Sequence, residues 1–299
     1  MDVVSDAISA VRTGRPSSNR LRVGGSWCTR LAPYEGAGFH VVLAGGCWLM
    51  PETGGEPVTL GAGDVVLLPH GVGHVLADSP GDIARAVPFE EMRRPDGGGD
   101  GREAELLCGK YRLDRSRTHP LMAELPEVVH LPNRVGRHPE LRSAVDLLAN
   151  ELDERRPGAC LALPSLLDLL LIYMVRAWMS EAETGSWPSV LNDPVTTAAL
   201  RALHSDPAAP WTNDRLAAAA GVSRATLARR FTALVGRAPM AYLTWWRLTL
   251  AATRLRDTDD SLTTVAREAG YGSPYALSHA FSREFGVTPG KYRMGAGSS

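Results

Sequence analysis

Side chains that can hydrogen-bond to an extended anionic partner are concentrated in two stretches near the end of the chain. The first stretch carries, at helical spacing, Arg224, Thr226, Arg229 and Arg230. The second carries Tyr275, Ser278, His279, Ser282 and Arg283. A guanidinium group is a planar fork of N–H donors, which suits phosphate oxygens and the edge of a guanine base. Both stretches therefore predict polar faces with the chemistry to contact nucleic acid.

The elements that must position these faces are written twice in the sequence. From Ser223 and Ser273 onward, the two copies match at an offset of 50 residues. The first copy contains Leu216-Ala217, Ala220-Gly221, Ser223, Leu227, Phe231, Gly236 and Pro239. The second contains Val265-Ala266, Ala269-Gly270, Ser273, Leu277, Phe281, Gly286 and Pro289. Repetition of this kind indicates one supersecondary unit used twice.

Each copy predicts a helix-turn-helix. In the first, Thr212 and Ser223 cap two helices, Gly221 forms the turn, and Gly236 ends the second helix. The predicted buried stripe of that second helix is Leu227, Phe231 and Leu234. The corresponding features of the second copy are Ser261, the Gly270–Gly272 turn, Ser273, Leu277, Phe281 and Phe285. One such pattern is often a simple helical corner, but two copies with serine caps and outward arginines favour a pair of DNA-reading units.

The strings SRATLARRF (223–231) and GYGSPYALSHAFSREFGVTPGKYR (270–293) resemble the two DNA-reading halves of AraC/XylS-type transcriptional regulators. The resemblance covers about residues 193–293 and implies double-stranded promoter DNA as a partner, with RNA polymerase as a second one. A long helix over residues 241–256 would hold the two recognition helices about one DNA turn apart, roughly 34 Å.

The resemblance also assigns individual contacts. Ala225, Ala228 and Arg229 would meet base edges upstream, and Tyr275, Ser278 and His279 hold the matching downstream positions. The remaining cations of the downstream half would contact the DNA backbone. The complete predicted set is Ser223, Arg224, Ala225, Thr226, Ala228, Arg229, Arg230, Ser273, Tyr275, Ser278, His279, Ser282, Arg283, Lys291 and Arg293.

Charge divides the chain in the same way as these motifs. The whole chain of 299 residues has a formal net charge of −1. Residues 193–299 hold 13 Arg and Lys against 8 Asp and Glu, whereas the remainder holds 19 against 25. A basic segment joined to an acidic one fits a DNA-binding module attached to a body that does not touch DNA.

The N-terminal region, residues 1–128, predicts a β-barrel because short β-branched runs alternate with turn residues. Val41–Leu49 is one predicted strand, and Val65–Leu68 is another. Gly63 to His74 has the spacing G-x5-P-x-G-x2-H, which resembles the second signature motif of the cupin barrels. The first cupin motif has decayed: residues 39–47 keep His40 and have no Glu.

Two interpretations of the barrel histidines stay open. In cupin enzymes the matching His is a metal ligand, and His40, Cys47 and His74 could together hold zinc or another divalent metal ion. In the alternative, which we favour, His40 and His74 are hydrogen-bonded interior residues lining an effector pocket, and Cys47 is a small buried hydrophobe.

Cysteine usage raises a further possibility. The segment 108–126 resembles the cupin-type AraC subgroup that includes redox- and reactive-chlorine-responsive members, and Cys108 matches the strand cysteine of that subgroup. The other cysteine of that pair has no clear match, and Cys28 is the nearest candidate. Cys28 and Cys108 are therefore the redox candidates, and the effector would be a small molecule, a metal or an oxidant.

Two helices are predicted between the barrel and the DNA reader. Leu141, Val145, Leu148 and Leu152 form one apolar stripe, and residues 163–179 are apolar nearly all round. A helix apolar on all sides needs cover on all sides, so we expect a homodimer; a purely intramolecular bundle is the alternative. Residues 183–192 predict an interdomain linker.

The expected fold is therefore an α+β two-domain chain. Residues 1–128 form a cupin-like sensor barrel, 129–182 a helical linker and dimerisation segment, and 193–299 an all-α module with two helix-turn-helix motifs. The first 15 residues are polar, and the run 161–179 is interrupted by Pro164, Asp168 and Arg176, so we expect no membrane contact and a cytoplasmic protein.

Two functions remain in competition. One is a transcriptional regulator, an activator by the family resemblance, and not an enzyme. The other is a cupin metalloenzyme carrying an accessory DNA-binding module.

Overall fold

The computed structural model describes residues 3–81, 83–91, 103–113, 119–154, 157–182 and 186–296. Their packing divides the chain into two compact units. One unit contains the β-sheets and comprises residues 12–116 and 125–182. The other is helical and comprises residues 1–11, 117–124 and 183–299. The helical unit is therefore assembled from three separate pieces of sequence.

Ten strands lie in the part of the first unit that the structure describes. They are β1 (Ser17–Val23), β2 (Cys28–Leu31), β3 (Ala37–Ala44), β4 (Gly46–Pro51), β5 (Val58–Gly61), β6 (Val65–Leu68), β7 (His74–Ala77), β8 (Val87–Pro88), β9 (Ala104–Tyr111) and β10 (Val129–Leu131). They form two five-stranded sheets, with the orders β1-β9-β3-β6-β10 and β5-β4-β7-β2-β8. The sheet-rich N-terminal region predicted from the sequence is confirmed.

The core of this unit lies between the two sheets. Leu21, Val42 and Leu106 of the first sheet pack in one cluster with Leu49 and Leu76 of the second. Each of these side chains is at most 6% exposed. Successive residues of a strand face opposite sides, so alternate positions of both sheets supply this core.

The predicted single strand Val41–Leu49 is wrong, because the chain bends at Gly45 and the strand is interrupted there. That glycine has φ +71°, and a Cβ there would lie 2.1 Å from the Glu103 carbonyl oxygen. Glycine alone adopts this conformation without strain and leaves room for the neighbouring backbone. β3 and β4 are consequently separate strands in different sheets.

Two long helices complete the first unit: α3 (Pro139–Glu154) and α4 (Ala159–Glu181). Leu141, Val145 and Leu148 are buried as predicted. Pro164 lies inside α4 and not in its first turn, because the Gly158 carbonyl accepts N–H bonds at 2.9 and 3.0 Å and so starts the helix one turn earlier.

Among the described residues, α4 is the one helix that is both long enough and apolar enough to cross a membrane, judged by length and composition alone. The sequence analysis expected Pro164, Asp168 and Arg176 to interrupt this run, whereas the structure has one continuous helix of 23 residues. Helices of soluble cores pass the same test. In this unit Asp168 of α4 pairs with Arg12 at 2.8 Å, and the Leu167 carbonyl accepts a bond from the Tyr111 hydroxyl at 2.6 Å.

The helical unit contains ten helices among the described residues. They are α1 (Val3–Val11), α2 (Pro120–Ala123), α5 (Ser186–Asn192), α6 (Pro194–Ser205), α7 (Asn213–Ala219), α8 (Arg224–Val235), α9 (Pro239–Asp257), α10 (Leu262–Glu268), α11 (Pro274–Phe285) and α12 (Pro289–Ala296). The predicted repeat is confirmed: α7 and α10 have 7 residues each, and α8 and α11 have 12 each.

Local chemistry ends these helices where the sequence predicts. Ser223 and Ser273 accept the N–H groups of Thr226 and Ala276, and Thr212 and Ser261 cap α7 and α10 in the same way. Gly221, Gly236, Gly270 and Gly286 all have positive φ. Three details differ from the prediction. Val235 is buried where Leu234 was expected, and Phe285 is only partly buried. The expected linker contains α5, whose Trp187 is 2% exposed.

Candidate nucleic-acid interface and barrel cavity

Recognition helix α8 is held by one face and leaves the other face exposed. Leu227 and Phe231 are fully buried, and Val235 is 7% exposed. The opposite face exposes Arg224, Ala225, Ala228, Arg229 and Arg230, as predicted. Thr226 is half-buried, and its hydroxyl lies 2.9 Å from that of Ser223 at the N-cap. A short polar side chain and two alanines beside Arg229 leave room for a base edge to approach the helix.

The downstream recognition helix, α11, has the same design. Leu277 and Phe281 are fully buried, while Tyr275 is 81% exposed. The predicted contact residues meet at one shallow surface concavity lined by Tyr275, Ser278, His279, Ser282 and Arg283. The structure thus brings together the residues that the sequence placed on this face.

Three of the arginines predicted to contact DNA also interact with other residues of the protein. Arg230 pairs with Asp193 at 3.2 Å, which ties α8 to the start of α6. Arg224 lies 3.9 Å from Asp214, an exposed pair that contributes little stability. Arg293 donates to the Leu255 carbonyl at 3.2 Å and to the Asp260 carbonyl at 2.6 Å. Arg293 therefore has less of its guanidinium available to DNA than the sequence predicted.

In the sheet unit, His40 of β3 and His74 of β7 meet across the interior. Their Nε2 atoms are 2.7 Å apart, and the rings are 3% and 1% exposed. His74 Nδ1 lies 3.0 Å from the Val72 carbonyl oxygen, which can only accept, so this nitrogen carries the proton. The Nε2 of a neutral His74 is then an acceptor, and His40 Nε2 donates to it.

Both imidazoles are held neutral. Burial lowers the pKa of His40 well below its usual range, and the neighbouring His74 lowers it further. Burial also lowers the pKa of His74, against the hydrogen bond to Val72. A neutral pair joined by one hydrogen bond satisfies one nitrogen of each ring without bringing charge into the core.

A cavity of about 310 Å³ lies beside this pair. It is lined by residues from β1, β3, β7 and β9, with Lys110 as a cation and Glu90 as an anion. Cys108 is also a lining residue, and it lies directly opposite His40 in the β3–β9 register. Sequence reasoning missed Lys110, Tyr34 and Glu90, because which strands are neighbours cannot be read from local patterns. The register of β9 against β3 is the information needed to place Cys108 and Lys110 in the lining of this cavity.

The cysteines are not arranged as the sequence suggested. Cys28 packs in a cluster with Met50 and Val75, whereas Cys47 and Cys108 belong to the main core. None of the four cysteines, all within the described part of the chain, forms a disulfide. Burial raises the pKa of the Cys47 thiol to about 12. Burial also raises the pKa of the Cys108 thiol above its usual range. In the described ranges, no three His, Cys, Asp or Glu side chains form a group that could hold a metal ion, so Cys47 does not join the His40–His74 pair in one.

Comparisons with known proteins cover both units. A family model described as Cupin matches residues 2–180, and a model described as a helix-turn-helix domain matches residues 216–295. An AraC-like transcription regulator from Streptomyces lividans is 35% identical over 300 residues, which is 98% of this chain and 98% of the relative. The chain belongs to the AraC-like family of transcription regulators.

Two further relatives agree with this assignment. The HTH-type transcriptional regulator MtrA from Neisseria gonorrhoeae is 30% identical and covers 99% of both chains. The RCS-specific HTH-type transcriptional activator RclR from Escherichia coli is 30% identical over 85% of this chain and 83% of its own length. As an AraC-like regulator, the protein uses the α7–α8 and α10–α11 pairs as its DNA-binding domain. All three relatives are described as transcription regulators.

Base reading by α8 can be tested at Arg229. We expect Arg229→Ala to weaken binding to a specific DNA site by about 1–3 kcal/mol and to relax the preference at one base pair, because its fork suits guanine. The measurement is a binding titration on the specific site and on random DNA. Arg230→Ala is the matched control, since Arg230 is paired with Asp193 and should have a smaller, sequence-independent effect. Equal losses on both DNAs for Arg229→Ala would assign Arg229 to a phosphate.

The neutral histidine pair predicts a pH dependence of stability. The pKa values of His40 and His74 are lowered from 6.5, so below that pH the unfolded chain binds protons that the folded chain does not. Stability should therefore fall as the pH drops below about 6.5, by up to about 1.4 kcal/mol per pH unit for each group. Urea unfolding at pH 5 to 8 should show a shallower slope for a His40→Gln, His74→Gln variant. Identical slopes would contradict the assignment of neutral rings.

Proposed function

We propose that the protein is a cytoplasmic, sequence-specific promoter-binding regulator whose sheet unit binds an effector. The observation that carries this proposal is the pair of equal helix-turn-helix units, each with a fully buried stripe and an exposed polar recognition face. By analogy with the activator among its relatives, we propose that DNA binding recruits RNA polymerase. The remaining predicted contacts, from Ser223 through Lys291, are assigned to bases or phosphates on this basis.

The two recognition helices are proposed to contribute unequally. Arg229 on α8 has the bidentate fork that discriminates guanine, whereas the α11 face offers Tyr275, Ser278 and His279. Phosphate contacts from Arg283 and Lys291 would then supply much of the downstream affinity and little sequence preference.

The effector site is proposed to be the cavity beside His40 and His74. Its volume of about 310 Å³ suits a small molecule, and its lining combines apolar core with Lys110, Glu90 and the histidine pair. Each of the two histidines already uses Nε2 in a hydrogen bond to the other. This hydrogen bond supports a small-molecule site over a metal centre with Cys47. The placement of Cys28 and Cys108 in different clusters argues against the alternative of a redox pair.

The function is tested by recovering sheared genomic DNA with the purified full-length protein and sequencing the fragments. We expect a small set of fragments that share a two-part site, with the parts one DNA turn apart. A parallel elemental analysis of protein purified without a metal-binding tag tests the competing metalloenzyme. One equivalent of metal that disappears in Cys47→Ser, with no enrichment of any DNA sequence, would favour that competitor.

We also propose that the protein acts as a homodimer through α3 and α4. Large apolar side chains on these helices are left exposed: Leu147 is 53% exposed and Leu161 is 74% exposed. A second copy offers the same apolar surface and would cover both, as expected for a two-fold interface.

Replacement of Leu161 by Glu should weaken the dimer, because it places a charge in an apolar contact. Sedimentation of the full-length protein across a range of concentrations should show a dimer for the wild type and a shift toward monomer for Leu161→Glu. Glu151→Gln, on the same helix pair, is a control that leaves the apolar surface intact. A wild type that is monomeric at every concentration would rule out this proposal and leave the intramolecular bundle.

A further inference from the structure

The helical unit contains a buried chain of hydrogen bonds that DNA contact does not explain. His119 Nε2 lies 3.0 Å from the Tyr242 hydroxyl, which lies 2.8 Å from His204 Nε2. His204 Nδ1 lies 2.9 Å from an Asp6 carboxylate oxygen. Asp6 is the most exposed of the four, at 7%. The four residues come from four places: the start of α2, α9, α6 and α1.

The proton positions in this chain follow from its first member. His119 Nδ1 accepts the Leu121 N–H at 3.1 Å, so the proton of a neutral His119 is on Nε2 and is donated to the Tyr242 oxygen. The Tyr242 hydroxyl must then donate to His204 Nε2, and His204 Nδ1 donates to Asp6. Burial lowers the pKa of His119 well below its usual range, which agrees with a neutral ring. All bonds therefore run in one direction, toward the carboxylate.

This chain sits inside an aromatic cage. The His119 ring lies 5.1 Å from that of Trp187 and 5.4 Å from that of Trp245, and His204 stacks on Trp246 at 4.4 Å. All four residues are at most 7% exposed, so a broken hydrogen bond would leave buried polar groups unpaired, which costs more than an intact bond contributes. The three hydrogen bonds that join these four residues should therefore form or break together.

Tyr242 connects the chain to DNA reading. Its ring packs edge-on against Phe231, the fully buried residue of α8, with 5.7 Å between ring centroids. α9 itself joins the two helix-turn-helix units. A Tyr242 held by His119 and His204 thus fixes the surface on which α8 rests.

The two pieces that supply Asp6 and His119 are also the two that adjoin the cavity strands in sequence. α1 precedes β1, and α2 follows β9. β1 and β9 are antiparallel neighbours with Ser17 opposite Lys110, and Arg12 forms an isolated bridge with Leu113 just beyond. Both Ser17 and Lys110 line the cavity.

We propose that Asp6, His119 and His204 are positioning residues for DNA recognition, which seat α1 and α2 in the helical unit and through Tyr242 hold α8 in its DNA-reading place. The proposal rests on the helical unit and on the DNA-binding role of its two helix-turn-helix motifs.

The test uses full-length variants and two measurements. Tyr242→Phe removes one hydroxyl and keeps the ring on Phe231, and Asp6→Leu removes the final acceptor. Asp6→Asn is the conservative variant, because its amide oxygen still accepts from His204. Thr253→Val is the matched control, since its hydroxyl lies 3.3 Å from the Ala10 carbonyl of α1 but outside the chain. Binding is titrated on the tightest genomic fragment recovered by the wild type, and hydrogen exchange is followed in α1 and α2.

We expect Tyr242→Phe and Asp6→Leu to lose affinity on the order of tenfold, and to expose the amides of α1 and α2 together. Asp6→Asn and Thr253→Val should bind and exchange like the wild type. Circular dichroism checks that the variants are folded, and if Asp6→Leu is not, Tyr242→Phe carries the comparison alone.

Three results would overturn the inference. The first is rapid hydrogen exchange of the α1 amides in the wild type. The second is exposure of the α1 amides without those of α2 in the variants. The third is an unchanged affinity for DNA in a variant whose α1 and α2 amides are both exposed. A wild type that selects no DNA sequence would instead contradict the proposed function, and the exchange measurement would still decide whether the seat is one unit.

Discussion

Burial of α9 is the constraint on which the DNA-binding unit depends. Ten of its 19 residues are buried, and they serve both helix-turn-helix units. Tyr242, near its start, packs on Phe231 of α8, whereas Leu248 and Leu255 share a core cluster with Phe281 of α11. A recognition helix must leave one face bare for DNA, so a single apolar stripe has to hold it. Each fully buried Leu or Phe contributes about 1.5–3 kcal/mol, which makes the α9 contacts the main restraint on both helices.

The sheet unit meets a different constraint, which is the cost of polar groups in a dry interior. His40 and His74 are tolerated there because they are neutral and bonded to each other. The same interior keeps the Cys47 thiol protonated, since burial raises its pKa to about 12. A thiol in this state is a poor nucleophile, so the core as it stands favours packing over fast cysteine chemistry. The cavity opens where the apolar core meets Lys110 and Glu90.

Local features could be predicted from the sequence, and long-range ones could not. Ser223, Ser273, Gly221 and Gly270 were placed correctly because capping and positive φ depend on a few neighbouring residues. The turn at Gly45 was missed because it is imposed by the Glu103 backbone, far away in sequence. Val235, and not Leu234, completes the buried stripe of α8 because of packing against other helices, which the helical period alone does not specify. The His40–His74 contact was anticipated only as a shared pocket, without its geometry.

The sharpest limit of sequence reasoning is the composition of the helical unit. Repeats and family resemblance place the DNA-binding domain at residues 193–299, and the cupin model takes in residues 2–180. The division into 1–128, 129–182 and 193–299 stays a prediction, and packing adds α1 and α2 to the helical unit. A fragment that starts at Asp193 would leave His204 and Tyr242 without Asp6 and His119, and would uncover Trp246. Unpaired buried groups cost about 1–3 kcal/mol each. We therefore regard α1 and α2 as structural parts of the helical unit, even though the cupin family model includes both in residues 2–180.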